Sequence, residues 1–233
     1  MTSPSLAIIM STYNMADYIE TAIASCFLQQ TQPDQVLVID DGSEDDSYKK
    51  MLKWKEQERV TLLRKKNSGK ARALNELLPY VTADFVMEVD ADDWLDPDAL
   101  FLIKKKLQRL PKDVSVLYGN FRKWKQQPTD GLMYKGIAKG KTVKTERELA
   151  SYRFPLGPRV YRTAALKRVG GFPLSPFENG RLYEDVSVLI NLIKQSKISY
   201  DDFTVYNIRE HTDSITRKNR HKWKEFKPFL KYD

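Results

Sequence analysis

Asp90, Ala91 and Asp92 follow the apolar run Phe85 to Val89, and Asp93 comes directly after them. Two carboxylates one residue apart at the end of a buried strand can hold Mg²⁺ or Mn²⁺, directly or through water, and leave positions on the ion open for phosphate oxygens. The competing reading is an acidic turn that caps a helix. It fits Asp96, which precedes Pro97 as a cap precedes proline at the first helical position, and Asp98 as a first-turn charge. It does not extend to Asp90 and Asp92, which come before that helix begins. Polar groups leave other apolar runs in the same way, at Thr12-Tyr13-Asn14 and at Asp40-Asp41-Gly42-Ser43. Lys70 and Arg72 open a helix after Gly69, so a helix N-terminus and two cations could meet phosphate together, or the two could face solvent. Glu184 and Asp185 open a later helix, where the dipole favours negative charge.

For these groups to act together, the fold must deliver them to one edge. Leu6 to Tyr13, Val36 to Ile39, Val60 to Leu63 and Phe85 to Val89 read as buried strands rich in Ile, Val and Leu. Between them, Ile19, Ala22, Ile23, Cys26 and Phe27 recur at helical spacing after a start at Asp17. Tyr48, Met51, Leu52 and Lys55 do the same, and Ser68 to Leu78 supplies a third helix ended by Pro79. The alternation predicts a parallel α/β sheet, whose ligands sit beyond the carboxyl ends of the strands.

The second half is less regular. Val114 to Phe121 reads as a strand, and Arg122 to Lys144 as a basic, Gly-containing hairpin or mobile loop. Thr163 to Val169 is a short helix stopped by Gly170-Gly171, Val186 to Ile193 continues the helix opened by Glu184-Asp185, and Ile198 to Tyr200 and Thr204 to Ile208 are closing strands.

The 233 residues suffice for one body with a proper core, and a hydrophobic share of 41% excludes a disordered chain. Net charge is +8, yet carboxylates cluster at Asp40-Asp41, Glu44 to Asp46 and Asp90 to Asp98. A basic body around an acidic pocket suits an anionic ligand bound through a divalent cation. Nucleic acid is disfavoured, because the basic residues are spread along the chain without a recognisable binding motif. The lone Cys26 allows no intramolecular disulfide, the first residues lack a secretory pattern, and no apolar run nears the roughly 20 residues of a membrane span. A cytoplasmic setting is the expectation.

Ile8-Ile9-Met10-Ser11-Thr12-Tyr13-Asn14, Val38-Ile39-Asp40-Asp41-Gly42-Ser43, Asn67-Ser68-Gly69-Lys70 with Ala73-Leu74-Asn75, and Val89-Asp90-Ala91-Asp92-Asp93 resemble glycosyltransferase family 2 in order and spacing. Val169-Gly170-Gly171-Phe172, Glu184-Asp185 and Arg209-Glu210-His211 extend the resemblance to nearly the whole chain. It implies an α/β GT-A fold, with a Rossmann-like, mostly parallel central sheet flanked by helices. Within a single domain 1–233, residues 1–95 form the nucleotide-sugar-binding half, 96–210 the acceptor-binding half and 211–233 a basic aromatic C-terminal tail.

The implied activity is metal-dependent, inverting transfer of a sugar from a nucleoside diphosphate sugar, UDP-linked in the leading case, to a hydroxyl of a glycan, glycolipid or other acceptor. The implied nucleotide contacts are Thr12, Tyr13, Asn14 and Asp40, with Asp41, Asp90 and Ala91 beside them. Tyr13 could stack on a base or pack in the core, Asp40 could accept the imide N–H of uracil or thymine, and Asp41 could serve the Gly42 turn instead. Asp90 and Asp92 would hold Mn²⁺ or Mg²⁺, with His211 either a further ligand or structural. By the same resemblance Asp185 is the general base and Glu184 its orienting neighbour. Many members carry Arg where this chain has Leu74, which leaves Lys70 and Arg72 as the candidates for the diphosphate.

Two apparent motifs fail. Gly136 to Thr142 has three residues between its glycines where a P-loop needs four, and no Gly-x-Gly-x-x-Gly follows the first strand. The tail from Arg217 to Leu230 mixes cations with aromatics, which suits either peripheral contact with an anionic membrane or packing of Trp223, Phe226 and Phe229 on the body. A non-catalytic sugar-nucleotide or carbohydrate-binding module would share the fold; intact Asp90, Asp92 and Asp185 argue against it.

Overall fold

Leu6–Thr12 (β1), Gln35–Asp40 (β2), Val60–Arg64 (β3) and Phe85–Glu88 (β4) pair in parallel, side by side in the order β3-β2-β1-β4. Alternate residues of β1 go to opposite cores. Leu6, Ile8 and Met10 pack under Ile19–Phe27 (α1) and Ala99–Leu107 (α4), while Ala7 and Ile9 pack under Lys70–Leu77 (α3). Burial on both faces is why these strands read as continuous apolar runs. Ser47–Leu52 (α2) links β2 to β3. The computed structural model describes residues 3–129, 131–151, 156–175, 177–180, 182–212 and 219–230.

The second half extends the same sheet with mixed polarity. Arg159–Arg162 (β8) lies antiparallel between β4 and Val114–Gln126 (β6), and Lys197–Glu210 (β9) runs parallel to β6 on its other side. Trp94–Leu95 (β5) closes the edge beside β9, and Leu132–Ala138 (β7) forms a hairpin with β6. Glu146–Ser151 (α5), Thr163–Arg168 (α6) and Glu184–Ile193 (α7) complete the body.

Several expectations change. β8 is an additional strand, and its four residues are too few to show a period. The two expected closing strands are one, β9. Its ladder with β6 slips between Tyr200, opposite Tyr118, and Thr204, opposite Asn120. Phe203 folds over Gly119 there, so close that a Cβ on Gly119 would lie 2.7 Å from its ring. The Arg122 to Lys144 stretch is a true hairpin through Ala138, and Gly136 to Ala138 lie within β7. Neither expected cap is made. Met15 O accepts the Tyr18 and Ile19 N–H groups where α1 starts, and Asp96 gives its carboxylate to Asn207 Nδ2 at 2.8 Å and to Arg122.

In the tail, Trp223–Phe226 (α8) packs on the body. Phe226 is fully buried and stacks on Tyr183 with ring centres 4.5 Å apart, while Phe229 stays largely exposed beside Phe177. The tail residues 213–218 and 231–233, Arg217 and Lys218 among them, fall outside the described residues. No helix among the described residues is long and apolar enough to cross a membrane.

Two distant motif segments meet behind the sheet. The Asn75 carboxamide brackets the Phe172 backbone, donating to its carbonyl and accepting its N–H, both at 2.8 Å. Gly171 passes beneath at φ +77°, where a Cβ would overlap Asn75 Oδ1. Gly171→Ala is therefore expected to destabilise the fold by about 2 kcal/mol or more, through left-handed backbone strain plus overlap. A denaturant titration should show a lower midpoint at unchanged slope; an unmoved midpoint would contradict the packing described.

Candidate active site

The strand order sets the carboxyl ends of β1, β2 and β4 side by side, and β9 brings a further set of groups to the turn after β4. Tyr206 hydroxyl accepts the Asp90 N–H at 3.0 Å, and Arg209 pins the turn twice, its N–H on Asp93 Oδ1 at 2.9 Å and its Nε on the Asp92 carbonyl at 3.0 Å. The His211 ring follows, with Nε2 2.9 Å from Asp92 Oδ2. Its Nδ1 is buried and meets no hydrogen-bond partner among the described residues; the same holds for the Thr12 and Ser68 hydroxyls.

Beyond β1, Tyr13 is 41% exposed, so it is not a core residue. Asn14 sits at φ +52° and takes the Glu44 N–H on its carboxamide oxygen at 2.9 Å. Beyond β2 the two aspartates divide their tasks. Asp40 is wholly enclosed, with both oxygens 3.2 Å from the Ser43 nitrogen and one 3.1 Å from Arg64 Nε. Asp41 accepts the Ser68 and Gly69 N–H groups at 3.0 and 2.8 Å, which fixes where α3 starts.

Lys70 and Arg72 are separated. Arg72 is exposed, whereas the Lys70 ammonium turns into the cleft, 2.5 Å from Asp90 Oδ1, 2.8 Å from Glu88 Oε1 and 3.4 Å from Glu184 Oε1. Asp185 lies beside Glu184 on the first turn of α7, with Oδ1 on the Val186 N–H at 2.8 Å and Oδ2 3.3 Å from Arg159 Nη1. Arg159, from β8, is also bound to Glu88 Oε2 through Nε at 3.2 Å and Nη2 at 3.1 Å. Neither Glu88 nor Arg159 was singled out in the sequence. The available signal was Glu88 itself, a lone charge inside the apolar run of β4.

The electrostatics follow from this crowding. Burial acts to raise the Glu88 pKa, but the Arg159 and Lys70 cations prevail and hold it down to about 2. Partial burial raises Asp90, with Glu88 and Asp92 adding to the effect against the pull of Lys70. Burial, with Asp92 and Asp90 nearby, pushes Asp93 well above the carboxylate range. Glu184 is pushed up to about 7 by burial, with Asp185 and Glu88 reinforcing it and Lys70 opposing.

Among the described residues no group of three or more His, Cys, Asp or Glu side chains is placed to hold a metal ion. Asp92 and His211 do converge, with Asp90 on the same turn. An open set of one or two carboxylates and an imidazole fits a divalent cation that completes its shell with water and phosphate oxygens.

Residues 7–170 match the family described as Glycosyl transferase family 2. The chain belongs to that family. Among curated relatives, glycosyltransferase GlyA of Streptococcus pneumoniae is 23% identical over 233 aligned residues, covering 94% of this chain; the chain spans only 32% of GlyA. TarS of S. aureus, solved with UDP, superposes with a TM-score of 0.68 at 20% identity, covering 98% of this chain and 66% of that one. Mannosyltransferase PcManGT from Pyrobaculum calidifontis, solved with GDP-Man and Mn²⁺, gives 0.65 at 19% identity, covering 99% and 69%. At these identities the two structures establish a shared GT-A fold.

Because the folded-state pKa of Glu184 is raised, to about 7 from an ordinary 4.5, the stability it contributes is full below pH 4.5 and is lost as pH rises through 7. Glu184→Gln removes that loss. Relative to the unsubstituted chain, the variant should gain about 1–3 kcal/mol between roughly pH 5 and pH 8. Urea titrations at the two pH values check this, and a constant difference would show that Glu184 does not titrate there.

Proposed function

We propose that this chain transfers a sugar from a nucleoside diphosphate sugar, UDP-linked in the leading case, to an acceptor hydroxyl with inversion, using Mn²⁺ or Mg²⁺. One observation carries the reading: Asp90 beyond β4 and Glu184-Asp185 on α7 face each other across the Lys70 ammonium, with Asp92 and His211 on the Asp90 side. Family membership supports the reaction class. The UDP and UDP-GlcNAc bound by TarS, and the GDP-Man and Mn²⁺ bound by PcManGT, support the donor class and a divalent cation.

Asp185 takes the proton of the acceptor hydroxyl. The acceptor oxygen then bonds to the anomeric carbon from the face opposite the leaving group, while the old carbon–oxygen bond breaks and the nucleoside diphosphate departs with that electron pair. Asp92 and His211, with Asp90 on the same turn, would hold a divalent cation, which would supply positive charge toward the diphosphate. Lys70 adds charge from the start of α3, where helix N–H groups also favour an anion. Tyr13 offers its exposed ring to the base, Thr12 and Asn14 border the same strand end, and Ala91, its side chain packed in the core, can meet the donor only through its backbone beside Asp90. Asp40 meets the base once Arg64 moves aside, and Asp41 acts through the loop it fixes.

Asp185→Asn is expected to keep metal-dependent UDP binding and to lose about 100-fold or more in transfer rate, the usual contribution of a general base. Near-normal turnover would refute the base. Asp92→Ala should leave donor binding insensitive to Mn²⁺ and Mg²⁺; calorimetry with and without metal tests it, and a preserved metal-dependent gain would remove Asp92 from the cation site.

A further inference from the structure

Arg159 belongs to none of the sequence motifs, yet it is 8% exposed and stands on the strand inserted between β4 and β6. One edge of its guanidinium is fixed on Glu88 Oε2, through Nε at 3.2 Å and Nη2 at 3.1 Å. Glu88 is held in turn by Lys70, 2.8 Å from Oε1. A planar fork fixed at one edge presents its remaining nitrogen in a defined direction. That nitrogen, Nη1, meets Asp185 Oδ2 at 3.3 Å, while Oδ1 accepts the Val186 N–H at 2.8 Å. Both oxygens of Asp185 are thus tethered, and each retains a second lone pair for an incoming proton.

We infer that Arg159 is a positioning residue for Asp185: braced on Glu88, it fixes the orientation of the base carboxylate without touching donor or acceptor. The inference rests on the reaction proposed above, in which Asp185 is the base. Lysine keeps the charge at this position but has no fork, so it cannot hold Glu88 and Asp185 in one plane. Displacement of a reacting group by about 1 Å is enough to cost on the order of 100-fold in rate.

The test is a double-substitution cycle on hydrolysis of UDP-GlcNAc and GDP-Man, with water in place of the acceptor hydroxyl and release of UDP or GDP as the readout. Arg159→Lys, Arg159→Gln, Asp185→Asn and the two double variants are compared, with a thermal melt to confirm folding; the lysine variant keeps a buried cation should the glutamine variant fail to fold. Arg159→Lys is expected to lower kcat on the order of 10- to 100-fold, with the donor KM held within about twofold. In the Asp185→Asn background the same change should cost less than about twofold, because the group it positions is already inactive. Losses that multiply would overturn the positioning role and leave Asp185 as the base. Full activity of Asp185→Asn, or hydrolysis of neither donor by the unsubstituted chain, would remove the proposed reaction and this inference with it.

Discussion

Glu88 is a carboxylate enclosed in the middle of the sheet, a placement that costs several kcal/mol unless the charge is paired and hydrogen-bonded. Two cations from separate elements meet that demand, Lys70 from the start of α3 and Arg159 from β8. Each has charge left over and directs it outward, Lys70 to Asp90 and Glu184, and Arg159 to Asp185. One buried carboxylate therefore sets the relation among α3, β4, β8 and α7. Such a network is weak evidence for stability, since apolar replacements of buried ion pairs are often neutral or better. Its value here is geometric: losing any one partner leaves another charge stranded.

The same network joins the two sides of the cleft electrically. Asp90 is shared between Lys70 and the acidic turn that contains Asp92 and Asp93, so positive charge brought to that turn competes with the ammonium for Asp90. Glu184, the third carboxylate on Lys70, lies next to Asp185 in the chain. A change of charge at the end of β4 is consequently felt at the start of α7 through a single side chain.

How much of this was legible depended on which forces leave a pattern. The parallel half could be read because strands buried on two faces produce continuous apolar runs, and the polar residues leaving them had to share an edge. Lys70 and Arg72 looked equivalent, but positions two apart on a helix point about 200° away from each other, so only one could enter the cleft. Asp40 and Asp41 are adjacent and identical in type; which one is enclosed depends on the reach of Arg64 and on the loop before α3. β8 is too short to show periodicity, and Arg159 acquires its meaning only from Glu88 and Asp185, distant in sequence and on other elements. The slip in β9 coincides with a close approach of Phe203 to Gly119, residues distant in sequence, that no local propensity encodes.

Tyr183 holds φ 61° and ψ 28°, a left-handed backbone that is uncommon for an aromatic residue, immediately before Glu184 and Asp185. What secures it is the far end of the described chain: Phe226 stacks on the ring, Trp223 meets it edge-on at 5.2 Å, and its hydroxyl donates to the Asn219 carbonyl at 2.9 Å. Asn219, Trp223 and Phe226 are thus a mechanical part of the cleft. A version trimmed before Asn219 would free the hinge from which α7 departs, and the carboxylates on its first turn would be aimed differently.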